Sequence, residues 1–116
     1  MDNVLTITFK GKKIKTNTIY RYTIDNENGG LTITERTIKS VIYTNSKKDT
    51  GRIMFNKGFS IGINKINRKI ASDTVYLPVK DDEYAYDMIK GYCKNKINEA
   101  KLKIEKYQRC IDMLSI

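Results

Sequence analysis

The spacing of apolar residues near the C-terminus constrains the fold of this chain more than any other feature. From Cys93 to Leu114, apolar residues recur at alternating intervals of four and three, a seven-residue repeat held over three heptads. Positions three and four apart share one face of an α-helix, so this spacing forms a continuous stripe. The stripe, called the seam below, consists of Cys93, Ile97, Ala100, Ile104, Tyr107, Ile111 and Leu114. The sequence therefore predicts a long, coiled-coil-like C-terminal helix.

Pro78 and the acidic residues 81–83 predict where this helix begins, because negative charge is favoured at the positive end of a helix dipole. Together with Asp87, these acids form the carboxylate cluster best suited to binding a divalent ion. We interpret them as charges at a helix start and predict no metal site. Gly91 costs about 1 kcal/mol relative to Ala within a helix, so the pattern fits either one helix or a broken helix pair.

The first eighty residues have the alternation of β-strands, with β-branched and aromatic residues bounded by turn formers. The predicted strands are residues 4–9, 16–24, 31–36, 38–44, 52–55, 59–63 and 74–77. In the second of these, one face carries Tyr20, Tyr22 and Ile24, and the other carries Ile19, Arg21 and Thr23. Residues 25–30 predict a tight turn, and residues 64–73 predict an irregular loop or short turn.

These elements predict an α+β fold: an antiparallel β-meander of about five to six strands, followed by a C-terminal helix or broken helix pair. A length of 116 residues fits a single domain. Within that domain, residues 1–80 form the sheet part and residues 81–116 the helical part. No run of apolar residues is long enough to span a bilayer, and the N-terminus lacks a signal-peptide pattern, so we expect no membrane association and a cytoplasmic location.

Charge divides along the same boundary. The formal net charge is +9, yet residues 81–116 contain seven bases and seven acids. Residues 1–80 contain fifteen bases and six acids, so the net charge lies entirely in the predicted sheet. A basic face on the sheet and an anionic partner are therefore expected.

The residue types make catalysis improbable. The chain has no histidine, which removes the usual general base, the commonest metal ligand and the Ser-His and Cys-His pairs. Two cysteines, Cys93 and Cys110, lie 17 residues apart in the predicted helix, too far to be bridged within it. We interpret them as reduced thiols, with a bridge between subunits as the alternative. The sequence predicts a binding protein without a cofactor.

The densest basic segment, called the basic strip below, is residues 47–69. It holds seven bases, one acid, three glycines and two phenylalanines. Within it, backbone amides at Gly58 and Gly62, together with Lys57 and Lys65, could cradle an anion. The alternative is that these glycines only form a turn and a bulge.

Arginines and tyrosines provide more specific candidates, because guanidinium binds phosphate through two hydrogen bonds and aromatic rings stack on bases. The predicted ligand-binding residues are Arg21, Arg36, Arg52, Lys57, Tyr76 and Tyr84. For the arginines, the alternative is a solvated sheet face. Tyr76 and Tyr84 flank the junction of sheet and helix, where a cleft commonly forms, and the alternative for them is packing.

The seam itself has two interpretations. It packs on the apolar face of its own sheet, or it pairs with the same helix of other subunits. Leu102, Cys110 and Met113 supply apolar surface off the stripe, so one face of the helix could cover the sheet while another meets a partner, and we favour assembly. The predicted interface residues of a homo-oligomer are Ile97, Ala100, Ile104, Tyr107 and Ile111.

The Lys, Asn and Ile bias suits a low-GC genome, and the small size suits a phage accessory protein. A short antiparallel sheet followed by helices that drive assembly resembles the first family of Thoeris anti-defence proteins. The resemblance covers the order of elements, and no family motif is matched residue by residue. It implies a phage sponge that binds cyclic ADP-ribose isomers, or in some members cyclic oligonucleotides, in pockets between subunits.

Three functions follow as hypotheses. The first is sequestration of an anionic, cyclic nucleotide immune signal by an oligomer. The second is a small nucleic-acid-binding or nucleoprotein-inhibiting module, comparable to an anti-CRISPR protein, that uses the basic strip. The third is a protein adaptor that assembles through residues 93–114.

Overall fold

The computed structural model describes residues 3–66 and 72–115. Its strands are β1 (Leu5–Phe9), β2 (Lys12–Thr16), β3 (Thr18–Ile24), β4 (Leu31–Tyr43), β5 (Gly51–Phe55), β6 (Ser60–Gly62) and β7 (Thr74–Leu77). One helix, α1 (Asp82–Leu114), follows them. Short 3₁₀ turns, Asn56–Gly58 and Ile63–Lys65, flank β6. The α+β prediction is confirmed, and the loop predicted over residues 64–73 falls partly outside the described residues.

The main sheet has five antiparallel strands in the order β6-β5-β4-β3-β7, and β1 pairs with β2 in a separate hairpin. From β3 to β6 the chain forms the predicted meander. The last strand departs from that pattern, because β7 pairs with β3 at the opposite edge from β6. Strands β6 and β7 therefore form the two opposite edges of the sheet.

Two apolar clusters lie on the two faces of this sheet. Ile19 packs with Ile38 and Ile53 in the first cluster, which β1 helps to cover through Leu5. Tyr22, on the opposite face of β3, packs in the second cluster with the first turns of α1. Its neighbours Tyr20 and Ile24 pack there too, as their alternation predicted. The register irregularity in β4 between Ile38 and Ser40 bends the strand that serves both clusters.

The hairpin of β1 and β2 is a correction to the sequence interpretation, which ran a single strand over residues 16–24. Residues Lys10 and Gly11 both adopt left-handed backbone conformations, with φ of 50° and 76°, and form a two-residue turn. Thr16 consequently ends β2 and β3 begins at Thr18. The strand β2 was missed because three of its five residues are lysines, which have low β-propensity.

The helix α1 is one unbroken element of 33 residues that passes through Gly91. Asp81 caps its N-terminus, accepting a 3.0 Å hydrogen bond from the backbone N–H of Tyr84. Its carboxylate also pairs with the Lys10 ammonium group at 2.6 Å. The Lys10 hydrogen bond and the Tyr84 backbone hydrogen bond hold the pKa of Asp81 below its ordinary value. The predicted acidic helix start is confirmed.

Only the first turns of α1 pack on the sheet. Ala85 and Ile89 are its buried residues, and every residue from Cys93 to Ser115 is exposed. The helix projects from the sheet and accounts for the elongated outline of 69 × 33 × 30 Å. The alternative in which the seam covers its own sheet does not hold for the described part of the chain. No helix among residues 3–66 and 72–115 combines the length and apolar character needed to cross a membrane.

Candidate anion-binding site

A pocket of about 320 Å³ opens where the edges of the curled main sheet approach each other. Side chains from β3, β5, β6 and β7 and from the turns beside them line it. This arginine pocket is formed by Arg21, Arg52, Ser60, Ile61, Gly62, Lys65, Ser72, Thr74 and Tyr76. Its volume lies at the lower end of the range of small-molecule sites.

Strand register explains how two distant arginines reach one pocket. Arg21 on β3 lies directly opposite Tyr76 on β7, and Arg52 on β5 lies directly opposite Gly62 on β6. Directly opposite residues in an antiparallel pair share a face of the sheet. Because β4 separates β3 from β5 in the sheet, curling of the sheet is needed to bring the two pairs to one pocket. The arrangement is therefore a product of long-range strand order.

The guanidinium of Arg52 is oriented by its surroundings. One of its terminal nitrogens, Nη2, donates a 2.8 Å hydrogen bond to Oγ of Ser60. A guanidinium has five N–H donors, so most of them remain for a ligand. Gly62 faces Arg52 without a side chain, and a Cβ atom there would lie 2.6 Å from Oδ1 of Asn64. A side chain at this position would therefore crowd Asn64.

The charge of the arginine pocket has one sign. Among the described residues that line it, Arg21, Arg52 and Lys65 are basic and none is acidic. Arg21 and Tyr76 are half-buried, whereas Arg52 and Lys65 are exposed at the mouth. The hydroxyl groups of Ser60 and Thr74 add neutral hydrogen-bonding groups. Converging cations with an aromatic ring suit a small anion that carries a planar group.

The structure gathers half of the predicted ligand-binding residues and separates others. Arg21, Arg52 and Tyr76 meet in the arginine pocket. Arg36 does not line it: its guanidinium carbon lies 4.7 Å above the ring of Phe59, and its buried Nε has no hydrogen-bond partner among the described residues. Tyr84 belongs to the second cluster, where its ring contacts that of Phe9 edge-on at 5.1 Å.

The side chain of Lys57, the remaining candidate, lies outside the described residues. Sequence reasoning did not select Ser60, Ser72 and Thr74, although the cradle considered around the glycines included Lys65. Serine and threonine give no local signal of a site, because their neighbours across the sheet decide whether they face a ligand. For Lys65, the signal was the glycine-bent basic segment itself.

A second basic feature, called the lysine groove, lies between the β1–β2 hairpin and the β4–β5 loop. Its volume is about 780 Å³, and its charged residues are Lys13, Lys15, Lys47, Lys48 and Asp49. The two lysines of β2 are two positions apart and so point to the same side of that strand. The basic strip is thus divided, since its first lysines line the groove while Arg52 and Lys65 line the arginine pocket.

Among the described residues, no group of three or more Cys, Asp or Glu side chains is placed to hold a metal ion. The two thiols, Cys93 and Cys110, are exposed on α1, away from the arginine pocket. The described pocket lining offers cationic, hydroxyl and aromatic groups, which can bind and orient a ligand. Neither a histidine nor a carboxylate lies among these lining residues to transfer a proton.

Comparison of the chain with protein-family models, with curated proteins and with solved structures yields no match. The function has to be argued from the chemistry of the site.

Proposed function

We propose that this chain is a non-catalytic binding protein whose arginine pocket captures a small anionic ligand of the nucleotide type. The observation that carries the proposal is the convergence of Arg21 and Arg52, from non-adjacent strands, with Tyr76 around one pocket of about 320 Å³. Guanidinium groups bind phosphate oxygens, and the tyrosine ring stacks on a base or packs on a ribose.

The described lining of the arginine pocket lacks an acidic counter-charge, which supports an anionic ligand. The described lining residues carry three bases and no acid, so a ligand phosphate can neutralise charges that otherwise repel one another. Arg52 is already oriented by Ser60, which lowers the entropy lost on binding. The basic character of residues 1–80 adds long-range attraction of anions toward the sheet.

Capture without turnover is the simplest role for such a pocket. A chain without histidine whose described lining has no carboxylate holds its ligand without a general base. The resemblance in layout to Thoeris anti-defence sponges points to a cyclic nucleotide signal as the ligand class. In this proposal the protein lowers the free concentration of the signal by binding it stoichiometrically, in the manner of a phage anti-defence protein.

The test is calorimetric titration of the full chain with cyclic ADP-ribose isomers, cyclic dinucleotides, a linear mononucleotide and inorganic phosphate. Each arginine should contribute about 1.5–3 kcal/mol through charge-assisted hydrogen bonds, so Arg21→Ala and Arg52→Ala should each weaken binding at least about tenfold. Arg52→Lys, which keeps the charge and loses the planar fork, should also bind more weakly. Chromatography of ligand released by denaturation should recover it unchanged.

Arg109→Ala is the matched control, because it removes one arginine from the exposed end of α1 while leaving the pocket intact. Its affinity should equal that of the unaltered chain. Equal affinity of Arg21→Ala, Arg52→Ala and Arg109→Ala would exclude the arginine pocket as the site. Failure of every nucleotide on the panel to bind would exclude the ligand class, and conversion of the ligand would show that the protein is an enzyme.

The lysine groove favours nucleic-acid binding as a second candidate. Four lysines, two from β2 and two from the β4–β5 loop, line this groove, and lysines act as point charges toward a phosphate backbone. Replacing Lys47 and Lys48 with Glu should abolish binding of DNA or RNA and leave cyclic nucleotide affinity nearly unchanged. The converse outcome is expected for Arg21→Ala. Nucleic-acid affinity should also fall steeply with salt, as counterion release requires.

A further inference from the structure

The exposed C-terminal part of α1, from Cys93 onward, carries an apolar surface that its own domain does not cover. Six seam residues, from Ile97 to Leu114, lie where every described residue is exposed. Among them Ile97 is 54% exposed, Ile104 66% and Leu114 84%. A single helix projecting into water gains little stability from its backbone alone, and apolar side chains in a continuous stripe favour association.

We propose that two copies of this chain form an antiparallel dimer through residues 97–114 of α1. Heptad position a is isoleucine in each repeat, whereas position d varies. In an antiparallel pair of helices, each residue at position a faces a residue at position d of the partner along the whole seam. The facing pairs are Ile97 with the partner's Leu114, Ala100 with the partner's Ile111, and Ile104 with the partner's Tyr107, each of which occurs twice.

The charged residues beside the seam favour the antiparallel over the parallel arrangement. The positions that flank it on both sides include Lys94, Lys96, Lys101 and Lys103. A parallel pair in register would place Lys96 beside the partner's Lys101, twice, and like charges at these positions are destabilising. The antiparallel register places Lys101 beside the partner's Gln108 and Lys103 beside the partner's Cys110. No lysine then faces a lysine across the core.

The distribution of net charge along the chain also favours an antiparallel dimer. All of the net charge lies in residues 1–80, so a parallel dimer would place two basic sheets side by side. In the antiparallel dimer the sheets lie at opposite ends of the shared helical segment. That segment is about 27 Å long at 1.5 Å per residue. It exceeds the Debye length of about 8 Å at physiological ionic strength, so repulsion between the sheets is screened.

An apolar groove at the base of α1 receives the end of the partner helix. It has a volume of about 540 Å³ and runs into the seam at Ile97. Its apolar lining residues include Ile24, Leu31, Ile89 and Cys93. Because the antiparallel register sets the partner's Leu114 against Ile97, the last turn of the partner helix reaches the mouth of this groove. The groove and the seam thus form one continuous surface.

Light scattering of the full chain tests the dimer. The unaltered protein should have twice the monomer mass of 13.4 kDa at high protein concentration, and dilution should dissociate it. Ile104→Asp should remain a monomer with unchanged β-sheet signal, because the residue is exposed within its own chain. Leu102→Asp is the matched control, since Leu102 is equally exposed, at 65%, but lies off the seam. It should dimerise normally.

Cross-linking tests the direction, on a background that carries Cys93→Ser and Cys110→Ser. A mixture of Ile97→Cys and Leu114→Cys chains should form a mixed disulfide under mild oxidation. Ile97→Cys chains alone should not cross-link, since their thiols lie at opposite ends of the shared segment. Cross-linking of Ile97→Cys with itself would overturn the antiparallel arrangement. A monomeric unaltered chain, a higher oligomer, or equal loss of dimer in Leu102→Asp would overturn the dimer itself.

Discussion

A polar contact made by Tyr22 joins the sheet to the helix. The side chain is fully buried in the second cluster, and its hydroxyl group donates a 2.8 Å hydrogen bond to the carboxylate of Asp82 in the first turn of α1. Burial, and then the hydrogen bond to Asp82, raise the pKa of the Tyr22 hydroxyl well above its ordinary value. The neutral, donating form is thereby favoured in the folded protein.

Replacing Tyr22 with Phe should therefore lower the free energy of unfolding by about 1.5–3 kcal/mol, because Asp82 loses a charge-assisted hydrogen bond. Urea unfolding monitored by circular dichroism measures the difference. Tyr86→Phe is the control, since it also removes a tyrosine hydroxyl group, but from a side chain of α1 that is 41% exposed. It should change stability by less than about 0.5 kcal/mol. Equal effects of the two substitutions would contradict the assigned contact.

The pH dependence of this difference follows from the sign of the pKa shift. The folded pKa of Tyr22 lies above its unfolded value, so the stabilisation is complete below the unfolded value of about 10. Above that pH the hydroxyl ionises in the unfolded chain first, and the stabilisation is lost progressively. The stability difference between the unaltered chain and Tyr22→Phe should thus stay constant near neutral pH and shrink in alkaline solution.

At the scale of elements, the β4–β5 hairpin depends on Gly51. Its φ of +144° lies in a region open only to glycine, and a Cβ atom there would lie 2.0 Å from the backbone oxygen of Ile42. The hairpin carries Arg52 to the arginine pocket, and the loop between its strands presents the lysines of the lysine groove. One backbone position therefore supports both candidate sites.

Gly51→Ala should destabilise the protein by about 3 kcal/mol or more, since backbone strain adds to a clash that only strand movement can relieve. The matched control is Gly29→Ala, which also has positive φ, at +75°, but would meet no atom within 4 Å. Its cost should be the left-handed backbone penalty alone, about 1–2 kcal/mol. Urea unfolding of both variants checks the ranking, and equal losses would contradict the close approach of β4 to Gly51.

The sequence predicted some structural elements correctly and missed others. The turn predicted over residues 25–30 is confirmed. It could be predicted because its hydrogen bonds are local: Asp25 accepts them from the backbone N–H groups of Glu27 and Asn28. The β1–β2 hairpin was missed because Lys10, an unusual residue for a left-handed position, occupies its turn. Lys10 forms an ion pair with Asp81, which is distant in sequence and comes near only in the folded chain.

At the scale of the whole molecule, the chain divides into a basic sheet and a projecting helix. Removal of residues 99–116 should leave the sheet folded, because every described residue of that segment is exposed and none belongs to either apolar cluster. Titration should show that the shortened chain binds its anionic ligand with unchanged affinity. Its unfolding midpoint should become independent of protein concentration, since dimerisation no longer contributes.

A shortened chain that loses its β-sheet signal would show that the helix supports the fold as well as assembly. If it stays folded but loses ligand affinity, the arginine pocket is completed by a second copy. Ile104→Asp is the control for both results, because it removes the dimer while keeping the full length of the helix.

The sequence by itself determined the helix, the α+β order of elements and the confinement of net charge to the sheet part. These properties depend on spacing between near neighbours, which residues 93–114 display without reference to the rest of the chain. Tertiary structure alone decided that Arg21, Arg52 and Tyr76 share a pocket while Arg36 and Tyr84 do not. It also decided that the seam stays uncovered. The physical reason is that strand order and sheet curvature arise from pairings between distant segments, which local periodicity does not encode.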